Sequence, residues 1–195
     1  MPIKSSTGRE NGNVDQVDED AMYDRVMNIY RWDNFKDTTL NIDYQHLLTF
    51  NSLVSPRDIM VQTAKALYAK GKSDKAIEVL DRMQELIPAA TLPLNNAIIS
   101  GLNDKAVLDA ISLYSAAGEK EKAYKLGDAF AEETAKAIEL FSKPFRDGFM
   151  SYEYTNQAFS YLLLLQEVYK NNNDTEKANE IANMINMYLE PLQNV

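Results

Sequence analysis

This sequence predicts an all-α fold: an irregular array of about three helix pairs behind an N-terminal helical extension. Three observations predict it. A nearly identical phrase occurs three times, "YAKGKSDKA" from Tyr68, "YSAAGEKEKA" from Tyr114 and "YKNNNDTEKA" from Tyr169. Each copy ends in an alanine, Ala76, Ala123 or Ala178, that follows a large side chain, Leu67, Tyr114 or Tyr169, by nine residues. From Pro56 onward apolar residues recur at helical spacing, and no alternating Val/Ile/Thr run suggests a strand. Two antiparallel helices joined by a tight turn approach closely, and a small side chain at the start of the second one admits the neighbouring backbone.

Residues 1–18 read as a polar linker, with Lys4 and Arg9 set against Glu10, Asp15 and Asp18 and few aliphatic side chains. An N-terminal helical segment, 19–55, begins with "DEDAMYDRVMNIYRW", a helix over about 20–32 capped by Asp18 or Asp20. "YQHLLTFNSLV" is a further apolar stretch, and Ser55 or Pro56 starts the next helix. A repeat domain over 56–191 follows. Met60, Thr63, Ala64, Leu67, Ala76, Leu80 and Pro88 stand at the offsets of the tetratricopeptide pattern, whose period is about 34 residues. Gly71 closes the first helix, and Ser73 or Asp74 is expected to cap the second.

Four and seven residues past each alanine, Leu80 and Met83, Gly127 and Phe130, and Ala182 and Ile185 form an inward stripe. The alanines are 47 and 55 residues apart, so the array is irregular. The first excess fits a short extra helix in "AATLPLNNAIISGLND". The second combines a helix running to about Ser142 with "KPFRDGFMSYEYT", where Pro144 and Gly148 are expected to break regular structure. Helices over about 154–171 and 174–189 close the stack, with Pro191 just beyond. Leu162 to Leu165 predict a helix buried on two faces.

Composition narrows the function classes. With 195 residues, 45% of them hydrophobic, the chain is long enough for one substantial core or a short stack of repeats. A formal charge of -9 with no Lys/Arg block argues against nucleic acid and against adsorption to anionic lipid. No apolar run approaches the roughly 18 residues of a membrane span, so direct insertion of this segment is not expected. The absence of cysteine excludes disulfides and thiolate chemistry.

The block "DEDAMYDRVMNIYRWDN", followed by helix pairs ending in "EKANEI", resembles the C-terminal region of a family of large multi-pass bacterial membrane proteins. Those proteins are similar, in their membrane half, to protein O-mannosyltransferases and other lipid-linked-sugar glycosyltransferases. The most specific residues are Asp20, Met22, Tyr23, Asp24, Met27, Asn28, Arg31, Trp32 and Asn34; Asp33 departs from the glycine usual after the tryptophan. The resemblance implies a soluble tail at the periplasmic face of a membrane-anchored parent. It carries no catalytic residue onto this chain.

No motif here carries chemistry, and no catalytic, metal-binding or cofactor-binding residue is expected. His46, the single histidine, reads as a surface or packing residue. Adjacent carboxylates such as Asp18 and Glu19, or Glu132 and Glu133, point about 100° apart on a helix and cannot share one task. The expected role is a non-catalytic interaction or docking domain for a protein segment or for its own membrane half. Its groove residues would be Gln62, Lys65 and Tyr68 in the first pair and Ser112 and Ser115 in the second, all off the apolar stripe. Two alternatives are glycan or acceptor binding and a purely structural or oligomerising tail. For glycan binding the candidate aromatic patch is Tyr30, Arg31, Trp32, Phe149, Tyr152 and Tyr154.

Overall fold

The computed structural model describes residues 18–39, 55–95, 105–146 and 152–193. Among them every regular element is helical: α1 (Glu19–Asp24), α2 (Ser55–Ala69), α3 (Ser73–Leu86), α4 (Ala106–Ala116), α5 (Lys120–Arg146), α6 (Tyr152–Asn171) and α7 (Thr175–Gln193). A π-helical turn, Arg25–Ile29, extends α1, and a 3₁₀ turn, Asp33–Lys36, follows it. The all-α expectation holds. The chain divides into two compact units, Met1–Leu92 and Pro93–Val195.

The three copies of the phrase build one and the same turn. Gly71, Gly118 and Asn173 stand at φ 74°, 85° and 58°, the left-handed region that closes a helix. In each case this residue's N–H donates to the carbonyl three back: Gly71 to Tyr68 at 2.9 Å, Gly118 to Ser115 at 3.1 Å, Asn173 to Lys170 at 3.0 Å. The next N–H reaches five back, from Lys72 to Leu67, Glu119 to Tyr114 and Asp174 to Tyr169, each at 2.9 Å. This pair of bonds is the Schellman motif. The residue that completes it then opens the following helix, because its carbonyl accepts from the alanine: Ala76 to Lys72, Ala123 to Glu119, Ala178 to Asp174. The large residue and the alanine are buried in all three copies. The nine-residue offset is therefore the length of one turn, measured between two buried contacts.

Several sequence expectations change in detail. The N-cap of α3 is Lys72, not Ser73 or Asp74, because the Schellman geometry assigns that position to the residue after the glycine. Asp18 caps α1, accepting from Ala21 N–H at 3.1 Å. The helix expected over 20–32 ends at Ile29, since a π turn carries its last five residues. Pro144 lies inside α5 and Pro191 inside α7. Each stands within three residues of its helix's C-terminal end, so the lost i−4 hydrogen bond and the crowding by the ring fall on the last turn alone. Ala182 is only half-buried, and Ile181 beside it takes the inward place with Ile185. The leucine run is not buried on two faces: Leu162 and Leu165 are enclosed, whereas Leu163 is 49% exposed. "YQHLLTFNSLV", His46 and most of the proposed extra helix lie outside the described residues.

In the first unit α2 and α3 form an antiparallel hairpin, and α1 with its π turn lies across both. Met22 and Val26, one helical turn apart, are fully enclosed there. Polar contacts fasten the same segment to α3. Asp20 pairs with Lys72 at 2.5 Å and Lys75 at 3.2 Å, Tyr23 donates to Glu78, Lys36 pairs with Glu85 at 2.5 Å, and Arg82 donates to the Val26 carbonyl at 3.4 Å. In the second unit two hairpins stack, α4 on α6 and α5 on α7.

Candidate functional site

In the second unit the seam between α5 and α7 forms a shaped recess. Three contacts set its geometry. Tyr124 donates to Asp174, Lys177 to Asp128 at 2.9 Å, and Tyr188 to Glu139 at 2.9 Å, joining residues 50, 49 and 49 apart in the chain. The shared offset of the last two contacts means that the helices run parallel and in step over the eleven residues from Asp128 to Glu139, about 16 Å at 1.5 Å per residue. Residues three and four apart share a helix face, which selects Asp128, Ala131, Glu132, Ala135, Lys136 and Glu139 from α5. Lys177, Glu180, Ile181, Met184 and Tyr188 answer them from α7. Together they line a cleft of about 460 Å³. Ala131, Ala135 and Ile181 are buried at its floor, and the charged side chains stand around the rim.

Lys177 anchors the first end. Only 17% exposed, it bonds Asp128 with both carboxylate oxygens in reach and Glu180 at 2.8 Å, and it lies over the Tyr124 ring. Burial alone would lower the ammonium's pKa, but the hydrogen bonds to Glu180 and Asp128 and their charges outweigh that and push it up. The Tyr124 phenol is raised, first by its hydrogen bond to Asp174. In the middle, Lys136 bridges Glu132 at 2.7 Å, with both side chains 69% exposed, and this pair holds the Glu132 carboxyl below its usual range. At the far end burial and the Glu139 carboxylate raise the Tyr188 phenol.

Behind the Lys177 end of the cleft α5 and α6 approach unusually closely. Gly127 faces Tyr169, and a Cβ on Gly127 would fall 1.9 Å from the tyrosine oxygen. Tyr169 is fully buried, and its hydroxyl has no hydrogen-bond partner among the described residues. Burial pushes that phenol well above its ordinary range.

The residues singled out in the sequence are not gathered into this site. Gln62, Lys65 and Tyr68 are half-buried on α2 in the first unit, where Gln62 donates to Asp58 at 3.2 Å. Ser112 and Ser115 are half-buried on α4 in the second, and the Ser115 carbonyl serves the turn at Gly118. Tyr30 and Trp32 pack with ring centroids 5.0 Å apart, with Arg31 exposed between them. Tyr154 stacks on Phe141 at 5.1 Å and is 41% exposed. Phe149 and the side chain of Tyr152 lie outside the described residues. The adjacent carboxylates do diverge. Glu132 meets Lys136, while Glu133 turns inward and accepts the Leu94 and Asn95 N–H groups at 2.7 and 3.4 Å.

Sequence reasoning missed the α5/α7 cleft. A signal was present in "DAFAEETAKAIE", where alanines and charges alternate every three or four residues on a helix of 27 residues, longer than its partners. Among the described residues no helix is long and apolar enough to cross a membrane, and no group of three His, Asp or Glu is placed to hold a metal. No family model, curated protein or solved structure matches the chain.

Proposed function

We propose that this chain is a non-catalytic helical scaffold that docks a protein segment. The observation that carries the reading is the α5/α7 cleft, apolar at its floor, charged at its rim, and held open by parallel helices locked together at both ends. A volume of about 460 Å³ lies within the range of roughly 300–1,000 Å³ typical of binding clefts. The tetratricopeptide-like spacing supports the same reading, because stacked helical hairpins expose extended surfaces suited to peptide segments.

In this proposal the chain is the soluble C-terminal part of a membrane-anchored glycosyltransferase-like protein, facing the periplasm. Support comes from the "DEDAMYDRVMNIYRWDN" block, whose residues have a clear structural task. Asp20, Met22 and Tyr23 are the ones that fasten α1 to the first hairpin. The docked segment then belongs to the parent's own membrane half or to a partner protein.

A photo-crosslinking residue placed at Met184, with a second set at Tyr68 as comparison, tests this in cell-envelope extract. The reading expects one identified protein adduct from position 184 that disappears when Ala135→Leu fills the floor. Adducts from Tyr68 alone, or adducts indifferent to Ala135→Leu, would move docking away from the cleft.

A further inference from the structure

We infer that the occupant of the α5/α7 cleft is an amphipathic helix of a partner protein with lysine or arginine beside its apolar stripe; this rests on the docking reading above. The helical form follows from the walls. Both sides of the cleft are α-helices, whose backbone donors and acceptors are already paired along their length. No strand edge is available for an extended peptide to join, so the incoming segment must satisfy its own backbone, and a helix laid in a groove does that. The length agrees: three turns of wall, about 16 Å, match three turns of ligand with anchors at i, i+3 or i+4, and i+7.

The apolar anchors have a defined track. Ala131, Ala135, Ile181 and Met184 form the floor. Beyond it, Leu140 stands one turn after Lys136 and Met187 one turn after Met184, and these two side chains are 66% and 58% exposed. Two large hydrophobic side chains thus meet water on the turns that follow the cleft.

The charge of the partner follows from the rim. Four carboxylates, Asp128, Glu132, Glu139 and Glu180, face two ammonium groups, Lys136 and Lys177, in a chain of net charge -9. Lys177 is committed to Asp128 and Glu180 and is largely buried. The Glu132–Lys136 pair is exposed and worth little on its own, so Glu132 can turn to an incoming cation at small cost. Glu139 accepts from the Tyr188 hydroxyl, a partner that brings no cation to the carboxylate. Glu132 and Glu139, seven residues apart on one face, would meet basic residues about two turns apart on the partner.

The test uses the full chain and two labelled synthetic peptides of about 14 residues, roughly four helical turns. They share one leucine stripe, flanked by lysine in one and by glutamate in the other. Fluorescence anisotropy at low salt is expected to show the basic peptide binding about tenfold tighter or more, with the advantage shrinking as salt rises. Glu132→Lys combined with Glu139→Lys should reverse the preference, while Met184→Lys should weaken both peptides; far-UV circular dichroism confirms that each variant is folded. Equal or tighter binding of the acidic peptide overturns the inference and leaves the docking reading standing. Failure of both peptides, together with no protein adduct from position 184, removes both. Concentration-dependent self-association abolished by Ala135→Leu would make a second copy the occupant and also overturn it.

Discussion

Replacing Gly127 with alanine should destabilise the protein through a single atom, the hydroxyl oxygen of Tyr169. The added Cβ would lie 1.9 Å from that oxygen, 3.1 Å from the adjoining ring carbon and 3.8 Å from a Leu165 methyl. The tyrosine has little freedom to move away. It is fully buried, its ring stands edge-on to Tyr124 with centroids 6.2 Å apart, and its carbonyl is fixed by the Asp174 N–H of the turn. Overpacking of this kind costs about 1–3 kcal/mol, and the better helix propensity of alanine returns up to about 1 kcal/mol. The expected net loss is about 2 kcal/mol, a fall in Tm of roughly 4–8 °C for a chain of this size. Tyr169→Phe should be neutral or stabilising by up to about 1 kcal/mol, because it removes a buried hydroxyl that makes no hydrogen bond among the described residues. With the oxygen gone, the nearest ring atom is the 3.1 Å carbon, so Gly127→Ala in the Tyr169→Phe background should cost little. A double-mutant cycle by chemical denaturation should then show a coupling of about 2 kcal/mol. Additive effects would refute the close approach.

Two further perturbations follow from the same structure. Gly71→Ala and Gly118→Ala should each cost about 1–2 kcal/mol from left-handed backbone alone, because no non-neighbouring atom among the described residues lies within 4 Å of either added Cβ. Asn173→Gly should stabilise, and a set of three thermal melts that fails to order this way contradicts the shared turn. Acid should loosen the α1 segment before the helical stack. Lys72 and Lys75 hold the Asp20 carboxyl below its ordinary 3.8, and Lys36 holds that of Glu85 below its ordinary 4.5. Because folding depresses both, their stabilisation is complete above those values and is lost as pH falls through the lower folded ones. Trp32, the single tryptophan, sits in this segment and should shift its emission to the red as the pH falls below about 4, ahead of far-UV ellipticity. If Asp20→Asn leaves that early transition unchanged, the ion pairs are not its cause.

The fold was legible where local chemistry repeats. A glycine or asparagine in the left-handed position, a large residue four before it and an alanine five after it specify one turn, and three copies specify three hairpins. What escaped the sequence depended on partners distant in the chain. Lys72 carries no capping side chain, so only the turn geometry reveals it as the N-cap. The close approach of Gly127 to Tyr169 joins residues 42 apart whose types announce nothing by themselves. The cleft depends on α5 and α7 running in step, which no single helix encodes. The groove residues expected in the first and second pairs lie on first helices, α2 and α4, whereas the recess lies between second helices, α5 and α7.

Methyl NMR of the full chain, labelled at alanine and methionine and titrated with the basic amphipathic peptide, tests the central claim most directly. The account predicts saturable shifts at Ala131, Ala135, Met184 and Met187, with Met60 and Met83 of the other unit unmoved. Shifts confined to Met60 and Met83, or to methyls outside the α5/α7 seam, would contradict it.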